Sequence, residues 1–194
     1  VLKDVIQKGV LIEGLSTVLT SQQPAGEMGW RLQRNVLSGN VITFAAPPAA
    51  GSERVRVLPY VQWETAETDT GGQEVISGEF TGCIMGVYQR AGGNTTAAHV
   101  CTAERSDRTT PCLDAWNALK EEADVQLLAE HATGGEVGDY VFGVMDDKRR
   151  AKSGRTASML CIASPSAGGG YTITRAMVYK KDTGEYRVLA VQRG

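Results

Sequence analysis

Cys83 follows the run Ser77-Gly78-Glu79-Phe80-Thr81-Gly82, and His99, one of only two histidines in the chain, comes sixteen residues after it. These two residue types are the minimum for a thiol nucleophile and its base. A free thiol is mostly protonated near neutral pH. An adjacent imidazole stabilises the thiolate and later delivers a proton to a leaving group. Gly82 permits a tight backbone path, which would let main-chain N–H groups around Thr81, Gly82 and Cys83 face a developing oxyanion. Ser77, six residues before Cys83, offers a hydroxyl or a carbonyl to the other ring nitrogen of His99 and so a way to fix its tautomer. Asp139, Asp146 and Asp147 offer the same service, and nothing in the sequence selects among them.

The chemistry needs the two side chains to meet, and the local pattern predicts how. Ile84-Met85-Gly86-Val87-Tyr88 reads as a buried strand, Arg90-Ala91-Gly92-Gly93-Asn94 as a turn, and Thr96 to Thr102 as a returning strand. With the turn centred on Ala91 or Gly92, Cys83 falls opposite His99 or Cys101. Either register puts Cys83 and His99 at an even offset, on one face of the hairpin, touching directly or diagonally.

The rest of the chain supplies the scaffold. Residues 2–8 read as a short helix stopped by Gly9; residues 30–34, 41–44 and 54–58 read as strands, separated by Ser38-Gly39-Asn40 and by Pro47-Pro48. Residues 64–73 read as a polar loop. Thr110-Pro111 opens a long helix, with Trp116, Leu119, Ala123, Leu127 and Leu128 at helical spacing and Thr133-Gly134-Gly135 closing it. His131 then reads as a partner for that helix's C-terminal dipole. Tyr140 to Met145 and a charged patch, Asp146 to Lys152, follow; Met159 to Ile162, Tyr171 to Tyr179 and Tyr186 to Val191 read as strands, the last two joined by the turn Lys181-Asp182-Thr183-Gly184-Glu185. The expected fold class is α+β: a mostly antiparallel β-sandwich flanked by one long and one or two short helices, with residues 1–194 forming a single catalytic domain.

Composition narrows the function classes. The formal net charge is −2, with no run of Lys or Arg, so nucleic acid and membrane surfaces find no electrostatic partner here. No apolar stretch approaches a membrane span and no signal peptide is visible; the chain begins with Val, as an excised or processed piece would. Four cysteines (Cys83, Cys101, Cys112, Cys161) are too sparse for a disulfide scaffold, and their spacing does not suggest zinc. A reduced protein with one special thiol is the simpler reading, with Cys101–Cys112 the bridge that spacing allows and Cys101, Cys112 and Cys161 read as core. Gly168-Gly169-Gly170 lacks the Lys-Ser/Thr ending of a phosphate loop.

The order hydroxyl residue, five residues, cysteine, glycine-bearing turn, histidine resembles the glutamine deamidase family that includes Burkholderia lethal factor, the catalytic domain of cytotoxic necrotizing factor and, more distantly, the chemoreceptor deamidase. In the two toxins the cysteine ends a Leu-Ser-Gly-Cys motif, where this chain has Phe80-Thr81-Gly82-Cys83. Ser77 stands where the lethal factor and the chemoreceptor enzyme have threonine, and His99 follows Gly92-Gly93. Overall length, the stretch Val57-Leu58-Pro59-Tyr60-Val61-Gln62-Trp63 and a β-rich C-terminal third are also similar to the lethal factor.

The resemblance implies a cysteine-dependent amidohydrolase that converts a glutamine side chain of a protein substrate to glutamate. Cys83, His99 and Ser77 would be catalytic, with backbone at Thr81 and Gly82 near the oxyanion. It implies no cofactor and no metal. It places the protein among bacterial toxins or secreted effectors delivered into a host cell, or in the cytoplasm for a housekeeping deamidase, with a monomer favoured. Two alternatives stand beside it: another Cys-His enzyme (peptidase, transglutaminase-like acyltransferase or cell-wall amidase), and a non-enzymatic β-sandwich interaction domain with Cys83 in its core. The short Cys-to-His spacing disfavours papain-like enzymes.

Overall fold

The computed structural model describes residues 1–15, 19, 26–35, 39–134 and 157–194. The described residues form helix α1 (Leu2–Val5) and strands β1 (Leu11–Glu13), β2 (Gly26–Asn35), β3 (Gly39–Ala45), β4 (Glu53–Leu58), β5 (Thr65–Asp69), β6 (Val75–Phe80), β7 (Ile84–Arg90) and β8 (Thr95–Val100). Helix α2 (Pro111–Lys120) and strands β9 (Val125–Ala132), β10 (Ala157–Pro165), β11 (Tyr171–Lys180) and β12 (Tyr186–Gln192) complete them. The fold is mostly β in two sheets, as the alternating segments predict.

One sheet runs β1-β12-β11-β10-β6-β4-β2-β3 and closes on itself through the β3–β1 pairing; the other runs β5-β8-β7-β9. Most pairings are antiparallel, with parallel exceptions at β1–β3 and β4–β6. Period-two alternation sorts the side chains into layers. Ile76 of β6 and Leu160 and Ile162 of β10 fill the barrel interior with Trp30, Phe44 and Tyr186. Val75, Phe80, Met159 and Cys161 pack outward against Cys83, Met85, Val87 and Ala97 of the second sheet. That sheet's other face, Ile84, Tyr88, Ala98 and Val100, is covered by Trp116 of α2. Gly86 makes the covering possible: a Cβ there would lie 2.3 Å from the Trp116 ring.

The long helix predicted from residue 110 ends at Lys120. Glu122 and Asp124 turn the chain, and Val125–Ala132 becomes β9, paired antiparallel with β7. The leucines and alanines of this segment suit a helix locally, but the open edge of β7 needs hydrogen-bond partners, and tertiary pairing outweighs propensity. His131 therefore sits on a strand opposite Met85 and is not a helix-terminus residue. Residues 65–69, expected to be loop, are edge strand β5: with no apolar side chain larger than Ala66, the run carries the polar, acidic character that protects an edge. The segments 140–145 and 146–152 lie outside the described residues.

Candidate active site

The β7–β8 hairpin turns at Gly92, whose φ is +71°, and pairs Ile84 with Val100 and Met85 with His99. Past the last ladder pair, Thr102 Oγ1 donates to the Gly82 carbonyl at 2.7 Å, so the same register runs on to residues 82 and 102. Cys83 therefore stands opposite Cys101 and diagonal to His99. All three side chains lie on the face turned toward the barrel, the second of the two registers that the sequence allows.

Ser77 reaches this face from the other sheet. Its strand, β6, is paired to β4 on one side and β10 on the other. The Ser77 hydroxyl donates to the Leu58 carbonyl at 2.6 Å, and its oxygen lies 2.8 Å from His99 Nδ1. A hydroxyl has one hydrogen, and Leu58 receives it. Ser77 Oγ must then accept from Nδ1–H, which leaves His99 Nε2 as a bare lone pair. Nε2 is buried and has no hydrogen-bond partner. The ring is also clamped by packing: it stacks on Phe80 (centroids 3.9 Å apart, planes 12° apart) and lies tilted against Tyr60 at 5.2 Å. Phe80, the first residue of the Phe-Thr-Gly-Cys run, is thus the platform on which the imidazole rests.

Burial sets the charge states. Desolvation pushes the His99 pKa down to about 3, so the imidazole rests neutral. Cys83 is 8% exposed. Its burial, partly offset by a hydrogen bond from the Thr102 backbone and added to by Cys101, pushes the thiol up to about 11. The resting pair is a neutral thiol and a neutral base.

The backbone around Cys83 is pinned from two sides. Its carbonyl accepts from Thr133 N at 3.1 Å and from Thr133 Oγ1 at 2.8 Å. The Gly82 carbonyl is held by Thr102. The Gly82–Cys83 peptide is trans, so its N–H, which belongs to Cys83, is directed away from Thr102. Glycine at 82 is not demanded by the backbone: its φ is not positive and an added Cβ would meet only Thr102 Oγ1, at 3.8 Å. Thr81 is exposed at the bend.

The chain matches no protein-family model, and no curated protein is detectably similar to it. What the site can do must be read from its own residues. Ser77 and His99 are brought into contact from two sheets, Cys83 lies on the same face diagonal to His99, and Gly82 and Thr81 form the adjoining bend. His131 occupies the same cross-strand row as His99, with Met85 between them, so it too stands diagonal to Cys83; it is set apart by its partners, its ring lying 3.4 Å from Arg175 where His99 meets Ser77. Asp139, Asp146 and Asp147 fall outside the described residues. Cys101 and Cys112 are not bridged. Among the described residues, no three His, Cys, Asp or Glu side chains are placed to hold a metal ion, and no helix is long and apolar enough to cross a membrane.

Two neighbours escape the sequence reading, and a third, Cys101, stands opposite Cys83 in one of the two registers but has no part in the expected site. The Leu58 carbonyl fixes the direction of the Ser77 hydroxyl. Tyr60 flanks the imidazole, its hydroxyl pushed to a higher pKa by burial and by the Cys101 thiol 3.5 Å away. Cys101, read as core, is the second thiol on the same face. Its position two residues after His99 was the available signal, because i and i+2 share a strand face.

Proposed function

We propose that the protein is a thiol-dependent glutamine deamidase acting on a protein substrate, most simply a bacterial toxin or secreted effector domain directed at a host protein. The observation that carries this reading is the His99 tautomer: a buried ring whose Nδ1–H is spent on Ser77 and whose Nε2 lone pair is free, on the face that Cys83 shares. The resemblance of the Ser77–Cys83–His99 order to the glutamine deamidases supplies the substrate class.

In the first step the Cys83 thiol turns toward Nε2 and gives up its proton there as sulfur bonds to the carboxamide carbon. The C=O electrons move onto oxygen, to which the Cys83 N–H and the adjoining backbone N–H groups donate. Imidazolium and oxyanion appear together, which offsets the charge penalty that burial imposes on either alone. Collapse breaks the C–N bond; ammonia leaves with the proton from Nε2, and a thioester remains. Water, deprotonated by Nε2, then attacks the thioester carbon, and the C–S bond breaks to give glutamate and the restored thiol.

The test is incubation with candidate proteins while following ammonia and the masses of substrate peptides. Ammonia release with intact chains is the expected result, abolished by Cys83→Ser. New N-termini would make the enzyme a peptidase instead. A folded Cys83→Ser protein with full turnover would remove the nucleophile altogether. The burial of Cys83 favours one second reading, an interaction domain with a core thiol; it predicts no thiol-dependent turnover on any amide.

A further inference from the structure

Cys83 and Cys101 are a cross-strand pair, and the hydrogen bonds around them show which kind. Cys101 N–H donates to Glu64 O at 3.3 Å, so its backbone faces β5 and not β7. Cys83 C=O accepts from Thr133 N at 3.1 Å, so its backbone faces the β9 side and not β8. Both residues turn their polar backbone groups away from each other. The contacts on either side keep the register: Ile84 with Val100, and Gly82 with Thr102. Residues 83 and 101 therefore occupy a non-hydrogen-bonded site of the antiparallel pair, the site at which facing Cα atoms come closest, about 4.5 Å. That separation is within the roughly 4.4–6.8 Å over which disulfides close.

We infer that Cys83 and Cys101 form a reversible disulfide on exposure to a peroxide, and that this bond withdraws the Cys83 thiol from use. The consequence for activity rests on the deamidase reading; the bond itself does not. Neither other cysteine competes for this position. Cys112 lies on α2 with its Sγ donating to the Trp63 carbonyl at 3.1 Å, and Cys161 is on β10 opposite Ser77, in the other sheet.

The surroundings assign the order of steps. Burial raises the Cys101 pKa, but hydrogen bonds from the Tyr60 hydroxyl, the Ala103 and Trp63 backbone and the Cys83 thiol outweigh it and leave Cys101 below its ordinary value, whereas Cys83 lies above. Cys101, 2% exposed against 8% for Cys83, is thus the thiol that ionises first and attacks a peroxide that reaches the pair. A sulfur–oxygen bond forms, the O–O bond breaks, and the departing oxygen leaves as water, giving a sulfenic acid. Cys83 then attacks the Cys101 sulfur: the S–S bond forms, the S–O bond breaks, and the leaving hydroxide takes the Cys83 proton as a second water. One peroxide is reduced and two thiols are oxidised. A dithiol reductant reverses the bond by exchange.

Trypsin separates all four cysteines, placing Cys83 in residues 57–90, Cys101 in 91–105, Cys112 in 109–120 and Cys161 in 156–175. The reduced full chain is treated with stoichiometric hydrogen peroxide, blocked with a maleimide, digested and weighed. The expected result is peptide 57–90 linked to 91–105, loss of maleimide from both residues, and recovery of labelling after dithiothreitol. Cys101→Ser should form no such link. Cys83 carried to sulfinic or sulfonic acid without a link, or linked instead to 109–120, would overturn the inference. Deamidase activity followed in parallel should fall with the link and return with reductant. A linked peptide in a protein with no thiol-dependent amidase activity would sink the deamidase reading and leave the pair standing.

Discussion

Two buried polar knots sit three residues apart, where the chain enters and runs along β6, and they differ in one atom. At Glu74 the carboxylate is met from every side: Leu2 N donates to Oε2 at 2.6 Å, and Ser164 Oγ and Lys3 N donate to Oε1 at 2.8 and 3.3 Å. At His99 the ring is held as firmly, by Ser77 and Phe80, but Nε2 is left with no partner. Burying a polar atom without a partner costs roughly 1–3 kcal/mol. The first knot ties the N-terminal segment to the barrel and leaves neither carboxylate oxygen without a donor. The second keeps one acceptor in reserve, and the reserve is where a proton can go.

The largest effect that separates the knots is on turnover. His99→Gln keeps a buried amide in place of the ring but removes the base, and should lower kcat by about 10²–10⁴-fold. Glu74→Gln should leave turnover per folded molecule unchanged while lowering stability by about 2–4 kcal/mol, since donors arranged for a carboxylate would face an amide. Paired denaturation and rate measurements check both. Equal loss of turnover in the two variants would erase the distinction.

A smaller contrast comes from the serines. Ser77→Ala orphans both Nδ1–H and the Leu58 carbonyl, so stability should fall by about 2–4 kcal/mol and kcat with it, because the tautomer is no longer fixed. Ser77→Thr should rescue turnover. Ser164→Ala removes one of three donors from Glu74 and should cost about 1 kcal/mol in stability alone.

A further contrast is in the response to pH. His99 has a folded pKa of about 3 against an ordinary value of 6.5. The unfolded chain therefore binds the extra proton first. The contribution of His99 is complete above pH 6.5 and declines as pH falls toward 3, by up to about 1.4 kcal/mol per unit. His99→Phe, which keeps a ring on Phe80, should flatten that part of the stability–pH curve. An unchanged slope would mean that the ring is hydrated and not buried.

The hairpin was legible because its geometry is local: a glycine turn and an even offset settle which faces agree, whatever surrounds them. Ser77 was legible only as a position in a motif. Its strand is short, carries Gly78 and pairs with β4 and β10, so nothing in the local pattern announces it. β9 was misread because Leu127, Leu128 and Ala129 suit a helix, and only the need of β7 for a neighbour decides otherwise. β5 was missed for the opposite reason, since an edge strand without apolar residues looks like loop. Cys101 was legible as a residue opposite Cys83 in one register and as core, but its pairing geometry was not, because only hydrogen bonds show which way its backbone faces.

The histidine and the serine that fixes its tautomer belong to different sheets, joined only where the barrel wall meets the four-stranded sheet. The four-stranded sheet alone would hold Cys83 and His99 with no Ser77 to fix the ring. The reactive state is therefore assembled by docking and is absent from a chain that is unfolded or half-formed. On the deamidase reading, such a chain can be made, carried or threaded through a narrow passage with its thiol idle until the two layers close.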